Sequence, residues 1–137
     1  MTVTRPERVR GPLDDAFWAF CARGELRIQK CGECAGFTWP VEQACEHCGS
    51  SALQWERMSG EGRLVSWCAV HQDYYRGLLP LPYDCILVEL EEGVLFVSNP
   101  HGFGYDDMSL GMALRLAFID CRDPAGDKFR LPVFEKV

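Results

Sequence analysis

A chain of 137 residues, 47% hydrophobic and 25% charged, has room for one ordinary globular domain or two very small ones. Its formal charge of −6 and pI near 5.0 count against nucleic-acid binding, which draws most of its affinity from neutralising phosphates. The longest apolar runs fall far short of a bilayer span, and the opening Met1-Thr2-Val3-Thr4-Arg5-Pro6 lacks the apolar core of a signal peptide. The expectation is a cytoplasmic protein with reduced thiols and no membrane association.

In chain order, residues 1–12 read as a loose lead-in closed by Gly11-Pro12, with Arg5, Arg8 and Arg10 as the only dense basic segment. Residues 13–24 predict a short helix: Asp14 and Asp15 suit its N-terminal end and Gly24 its C-terminal stop. Leu13, Phe17, Phe20 and Cys21 form its apolar face, with Trp18 to the side. A helix this short is marginal alone, so it must dock, either on its own domain or on a partner.

Glu25–Ile28 alternates into the most informative stretch, Cys31-Gly32-Glu33-Cys34 followed by Cys45-Glu46-His47-Cys48-Gly49. Each Cys-x-x-Cys is a knuckle that presents two thiolates to one metal ion, and Gly32 and Gly49 suit turns with positive φ. Cys31, Cys34, Cys45 and Cys48 therefore make a closed four-sulfur set, the pattern of structural rather than catalytic zinc. Rubredoxin-type iron would use the same ligands; Zn2+ is the expected metal. His47 reads as a solvated residue of the second knuckle. Phe37–Pro40 and Leu53–Glu56 supply two more short strands. A ribbon of this size has almost no apolar core, so the metal must contribute much of its folding free energy.

After Met58 the character changes. Gly60-Glu61-Gly62 reads as a joint, and β segments follow at 63–70, 83–90, 94–97, 112–119 and 129–134, with Glu91-Glu92-Gly93 as a hairpin turn. Five short strands with no room for a long crossover predict a small antiparallel barrel of the OB type. The expected class is mainly β: a short N-terminal helix, a rubredoxin-like four-cysteine zinc ribbon and a five-stranded OB-type barrel, divided as residues 1–58 and 59–137. Cys21, Cys68, Cys85 and Cys121 are expected as small buried hydrophobes. Two connections, 71–82 and 99–105, are longer and more aromatic than hairpins need.

The order of parts resembles the zinc-ribbon OB-fold family associated with thiolases and acyl-CoA enzymes, catalogued as domain of unknown function 35. The residues that carry the resemblance include Phe17-Trp18, Leu26, Gln29, the four ribbon cysteines, Pro40, Trp55, Ser59-Gly60-Glu61-Gly62, Pro82-Tyr83, Val88-Glu89-Leu90, Gly111-Met112 and Leu131-Pro132-Val133-Phe134. It implies a non-catalytic accessory subunit that binds a thiolase-like enzyme in a heterotetramer. Such a subunit helps to frame an acyl-CoA site where the complex carries out Claisen condensation, thiolytic or retro-aldol cleavage, or acyl transfer. No catalytic residue is assigned to this chain: its spare cysteines lack an electropositive setting with a base nearby. The expected partner interface is Phe17, Trp18, Tyr74, Tyr75, Leu78 and Leu79, because aromatic anchors dominate interfaces. The alternative from another class, a nucleic-acid-binding OB module, needs a basic groove, and residues 59–137 hold more acids than bases.

Overall fold

A computed structural model describes residues 2–137. Among the described residues nine strands and one α-helix follow in order: β1 Val3–Thr4, α1 Asp15–Ala22, β2 Arg27–Cys31, β3 Phe37–Thr38, β4 Leu53–Arg57, β5 Glu61–Val70, β6 Tyr83–Leu90, β7 Leu95–Ser98, β8 Ala113–Arg122 and β9 Lys128–Lys136. Two sheets result. A three-stranded ribbon runs β3-β2-β4, and a larger sheet runs β1-β8-β5-β6-β7 with β9 paired to β8. The larger sheet curls until Pro100 bridges Phe134, with the Phe134 and His101 amides bonded to the Asn99 and Phe134 carbonyls. This is the expected OB-like barrel.

The strand periods explain the burial. Ile86, Val88 and Leu90 alternate inward on β6, and Leu64, Leu114, Phe96 and Phe134 meet them. At Gly62 an added Cβ would lie 2.6 Å from Val88 Cγ1 and 3.0 Å from the Glu89 carbonyl oxygen, so this position needs glycine for the close approach of β5 to β6. The hairpin at 91–93 turns on Gly93, with φ +94 and the Leu90 amide bonded to the Val94 carbonyl.

Three readings change. The lead-in is not loose: β1 pairs in parallel with β8, Arg5 donates to Asn99 Oδ1 at 2.9 Å, and Arg10 to Asp127 Oδ2 at 2.9 Å. Arg8 lies 5.0 Å over the Phe129 ring and 4.0 Å from the buried carboxylate of Asp123. The one dense basic segment is thus engaged inside the molecule. Second, the ribbon and barrel share one core. Leu26, Ile28, Val41 and Met58 join Phe17, Cys21 and the barrel interior, and the rings of Phe17, Trp39, Phe96 and Phe134 follow one another at 4.8, 5.1 and 6.4 Å. The ribbon's missing core is supplied by its neighbours. Third, the four spare cysteines divide: Cys21 and Cys121 are buried, Cys85 is half-buried, and Cys68 is exposed on the outer face of β5. Phe17 and Cys21 are the buried residues of α1, while Phe20 packs on Trp55 at 5.6 Å.

Burial raises Cys21 to about 12 and also lifts Cys85 and Cys121. A folded-state pKa above the unfolded one means stability is complete below the unfolded value near 9 and is lost as pH rises toward the folded one. Urea melts should therefore show a stability decline beginning near pH 9, and Cys21→Ala should flatten that slope. An unchanged slope would locate the alkaline sensitivity elsewhere.

Candidate metal centre and partner face

The four ribbon cysteines converge. β2 ends in Cys31, and the turns after β2 and before β4 carry the other three. All four sulfurs lie within 4.8 Å of one another, with Cys31–Cys48 and Cys34–Cys45 at 3.6 Å. Zinc–sulfur bonds of about 2.3 Å in a regular tetrahedron put sulfurs about 3.8 Å apart, so the set has the size of a zinc site. Cys31 and Cys45 are buried and Cys34 and Cys48 exposed, which leaves the centre at the tip of the ribbon with all four directions taken.

Backbone amides are aimed at the sulfurs. Glu33 and Cys34 N–H groups donate to Cys31 Sγ at 3.4 and 3.5 Å, Gly36 to Cys34 Sγ at 3.4 Å, and His47 to Cys45 Sγ at 3.3 Å. The Cys34 amide is the largest influence holding the Cys31 thiol below its ordinary range. Cys45 falls to about 6: burial opposes this, but the amides of His47 and Cys48 and the neighbouring thiols outweigh it. Cys48 is pushed up to about 12: the amide of Ser50 lowers it, but the neighbouring Cys31 thiol, burial and the Cys34 and Cys45 thiols outweigh that. Donors placed on sulfur favour thiolate, the form that binds metal.

The knuckles differ from expectation at two points. Gly49 has φ +78, but in the first knuckle the left-handed residue is Ala35 at φ 62, while Gly32 sits against the Ala52 carbonyl oxygen. In both knuckles the left-handed residue is the one after the second cysteine. Ala35→Gly is expected to stabilise the metal-loaded chain by about 0.5–1 kcal/mol in denaturant melts, relief of left-handed strain outweighing the entropy that glycine costs; a loss would show that the Ala35 methyl group matters more. His47 is more than a solvated residue: its Nε2 is 2.8 Å from the Phe37 carbonyl oxygen, tying the second knuckle to β3. Gln29, buried in mid-β2, fixes the intervening loop by donating to the Glu42 carbonyl and accepting from the Glu42 amide, both at 2.9 Å.

The predicted partner residues are brought together only in part: Trp18, Tyr75 and Leu79 line one groove, while Phe17 lies in the core. Phe17 is 4% exposed and Leu79 8%, so both are taken up in packing. Trp18 is half-buried, its indole N–H donating to the Val9 carbonyl at 2.8 Å. Leu78 is half-buried, whereas Tyr74 is 64% and Tyr75 42% exposed. Asp73 shapes that loop by accepting from the amides of Tyr75 and Gly77, and Tyr75 leans on Tyr83 with ring centres 6.4 Å apart. Leu81, Leu95 and Val97 are exposed as well; the missed pair, Leu95 and Val97, alternates outward on β7, a signal present in the strand period. A groove of about 500 Å³ is lined by Trp18, Tyr75, Leu79, Tyr83, Cys85 and Val97 among others. At 99–107, Asp107 accepts from the Gly104 amide, which closes a local turn.

Fold and site together define a small β-barrel protein carrying a four-cysteine ribbon. A family model described as the rubredoxin-like zinc ribbon domain of ChsH2 matches residues 18–54, and its C-terminal OB-fold domain matches 55–118. The chain belongs to the zinc-ribbon OB-fold family known as DUF35. It is 34% identical over 122 residues to a probable enoyl-CoA hydratase alpha subunit of Thermomonospora curvata, covering 88% of this chain and 37% of that protein. A DUF35 domain-containing scaffold protein of Pyrococcus furiosus is 26% identical over 83 residues, 57% of each chain. The chain thus spans only part of the length of these two relatives. The solved structure described as "Ltp2-ChsH2(DUF35) aldolase" superposes with a TM-score of 0.81 at 28% identity, covering 95% of this chain and 98% of that one.

Proposed function

We propose that this chain is a non-catalytic accessory subunit that binds a thiolase-like enzyme and helps to frame its acyl-CoA site. The observation that carries the reading is the end-to-end likeness to a chain of the Ltp2-ChsH2 aldolase, with no large part of either left over. The scaffold name of the Pyrococcus relative and the enoyl-CoA hydratase subunit name of the Thermomonospora relative agree with it. In this reading the ribbon portion, residues 1–58, holds structural zinc on Cys31, Cys34, Cys45 and Cys48. The barrel portion, residues 59–137, offers the partner its aromatic loop. The partner supplies the chemistry, whether carbon–carbon bond formation, cleavage or acyl transfer, in a cytoplasmic heterotetramer. The engagement of Arg5, Arg8 and Arg10 within the molecule favours this over nucleic-acid binding.

The test is an affinity pull-down of the tagged chain from its native extract, with mass spectrometry and a mass measurement of the purified complex. A stoichiometric thiolase-like protein is the expected companion. Recovery of RNA or DNA in its place would overturn the reading.

A further inference from the structure

Cys68 and Cys85 were expected in the interior, yet they stand directly opposite each other on β5 and β6, one exposed and the other half-buried. Opposed residues of an antiparallel pair have Cα atoms about 4.5 or 5.5 Å apart, and both spacings lie inside the window that a disulfide spans. Paired residues also point to the same face of the sheet. The pair sits at a mechanically distinct place. Two residues further along, Val70 pairs with Tyr83, and between them hangs the loop 71–82 with exposed Tyr74 and Tyr75. Cys85 also lines the groove of about 500 Å³ that Tyr75 and Tyr83 border. The metal centre does not use these thiols.

We propose that Cys68 and Cys85 form a reversible cross-strand disulfide that locks the neck of the aromatic loop. The oxidant is a low-molecular-weight disulfide. Cys68, the more exposed thiol, loses its proton and attacks one sulfur of the oxidant, which forms a mixed disulfide and expels one thiolate. Cys85 then loses its proton and attacks Cys68 Sγ, closing the Cys68–Cys85 bond and expelling the second thiolate. The two protons end on the two released thiols, and the two electrons lost by the cysteines reduce the oxidant. A bond between exposed strands is the kind that cellular thiols reopen. Burial holds the Cys85 thiol above its ordinary range, with Cys68 the next influence, which suits a residue that resolves rather than initiates.

The test uses the full, zinc-loaded chain titrated with glutathione disulfide, followed by alkylation, intact mass and peptide mapping without reduction. The expected result is a species about 2 Da lighter, with Cys68 joined to Cys85, two alkylatable thiols lost and zinc retained. Cys85→Ser should instead accumulate glutathione on Cys68, and Cys68→Ser should react far more slowly. Trypsin cleavage after Arg76, an exposed residue of the loop, should slow in the oxidised chain and recover with dithiothreitol. Independent glutathionylation of both thiols in the unsubstituted chain, or loss of zinc before any Cys68–Cys85 bond, would overturn the disulfide. Unchanged cleavage at Arg76 would overturn the lock. Neither readout depends on which protein the chain binds.

Discussion

Replacing Cys31 with serine is expected to strip the metal and lower the melting temperature of the whole chain, not of the ribbon alone. Cys31 is 2% exposed and ends the strand that pairs with both other ribbon strands. Structural zinc contributes about 10–16 kcal/mol in zinc-finger peptides, more than most domains hold as net stability, about 5–15 kcal/mol. In an isolated ribbon this would simply mean an unfolded segment. Here Leu26 and Ile28 on and beside β2 pack with Phe17, Trp39 and Phe96, so a disordered ribbon also uncovers the barrel's end. The expected loss is several kcal/mol, a shift of more than about 10 °C for a chain of this size. Metal content by mass spectrometry and melting by circular dichroism check it. A strong chelator should reproduce the effect in the unaltered chain, and acidification should do so as well, because protons regained by the ligand thiols displace the metal. A barrel transition unmoved by metal loss would show that the shared core carries little energy.

Phe17→Ala and the double change Tyr74→Ser with Tyr75→Ser should separate folding from partner binding. Phe17 is buried against Trp18 and Trp39, with ring centres 5.1 and 4.8 Å away. Its truncation is expected to cost about 3–5 kcal/mol of stability, and any loss of partner would follow from loss of fold. Tyr74 and Tyr75 are exposed, and substitutions at such places change stability by about 0.5 kcal/mol or less. If they anchor the partner, their removal should weaken association more than about tenfold, the 1.4 kcal/mol that even a modest anchor carries. Melting curves and titration against the purified partner give both numbers. A double variant that binds at full strength would move the interface to other surface, with Leu95 and Val97 on β7 the next candidates.

The convergence of the four ribbon cysteines was legible because knuckle geometry is local. A Cys-x-x-Cys turn places two sulfurs by backbone geometry alone, and two such turns on one short ribbon can hardly avoid each other. The barrel strands were legible from their alternation, and the Glu91–Gly93 hairpin from its turn residues. Phe17 shows where local reading stops. An aromatic residue on a short helix has the same periodicity whether it meets its own core or a partner. Only the packing of α1 against Trp39 decides the matter. Cys68 and Cys85 make the same point for the sheet, since apolar residues on both faces of β5 leave the outward face undetermined until strands pair. The arginines of the lead-in could have formed a basic patch. Their partners Asn99, Asp123 and Asp127 lie about a hundred residues away in the chain, and nothing near Arg5, Arg8 or Arg10 announces them. By itself, then, the amino-acid order determined the four-cysteine cluster, the strand periods and the hairpin turn, each set by neighbours a few residues apart. Tertiary structure alone decided which aromatics stay exposed, where the arginine charges go and which thiols face each other, because those outcomes depend on contacts between distant segments.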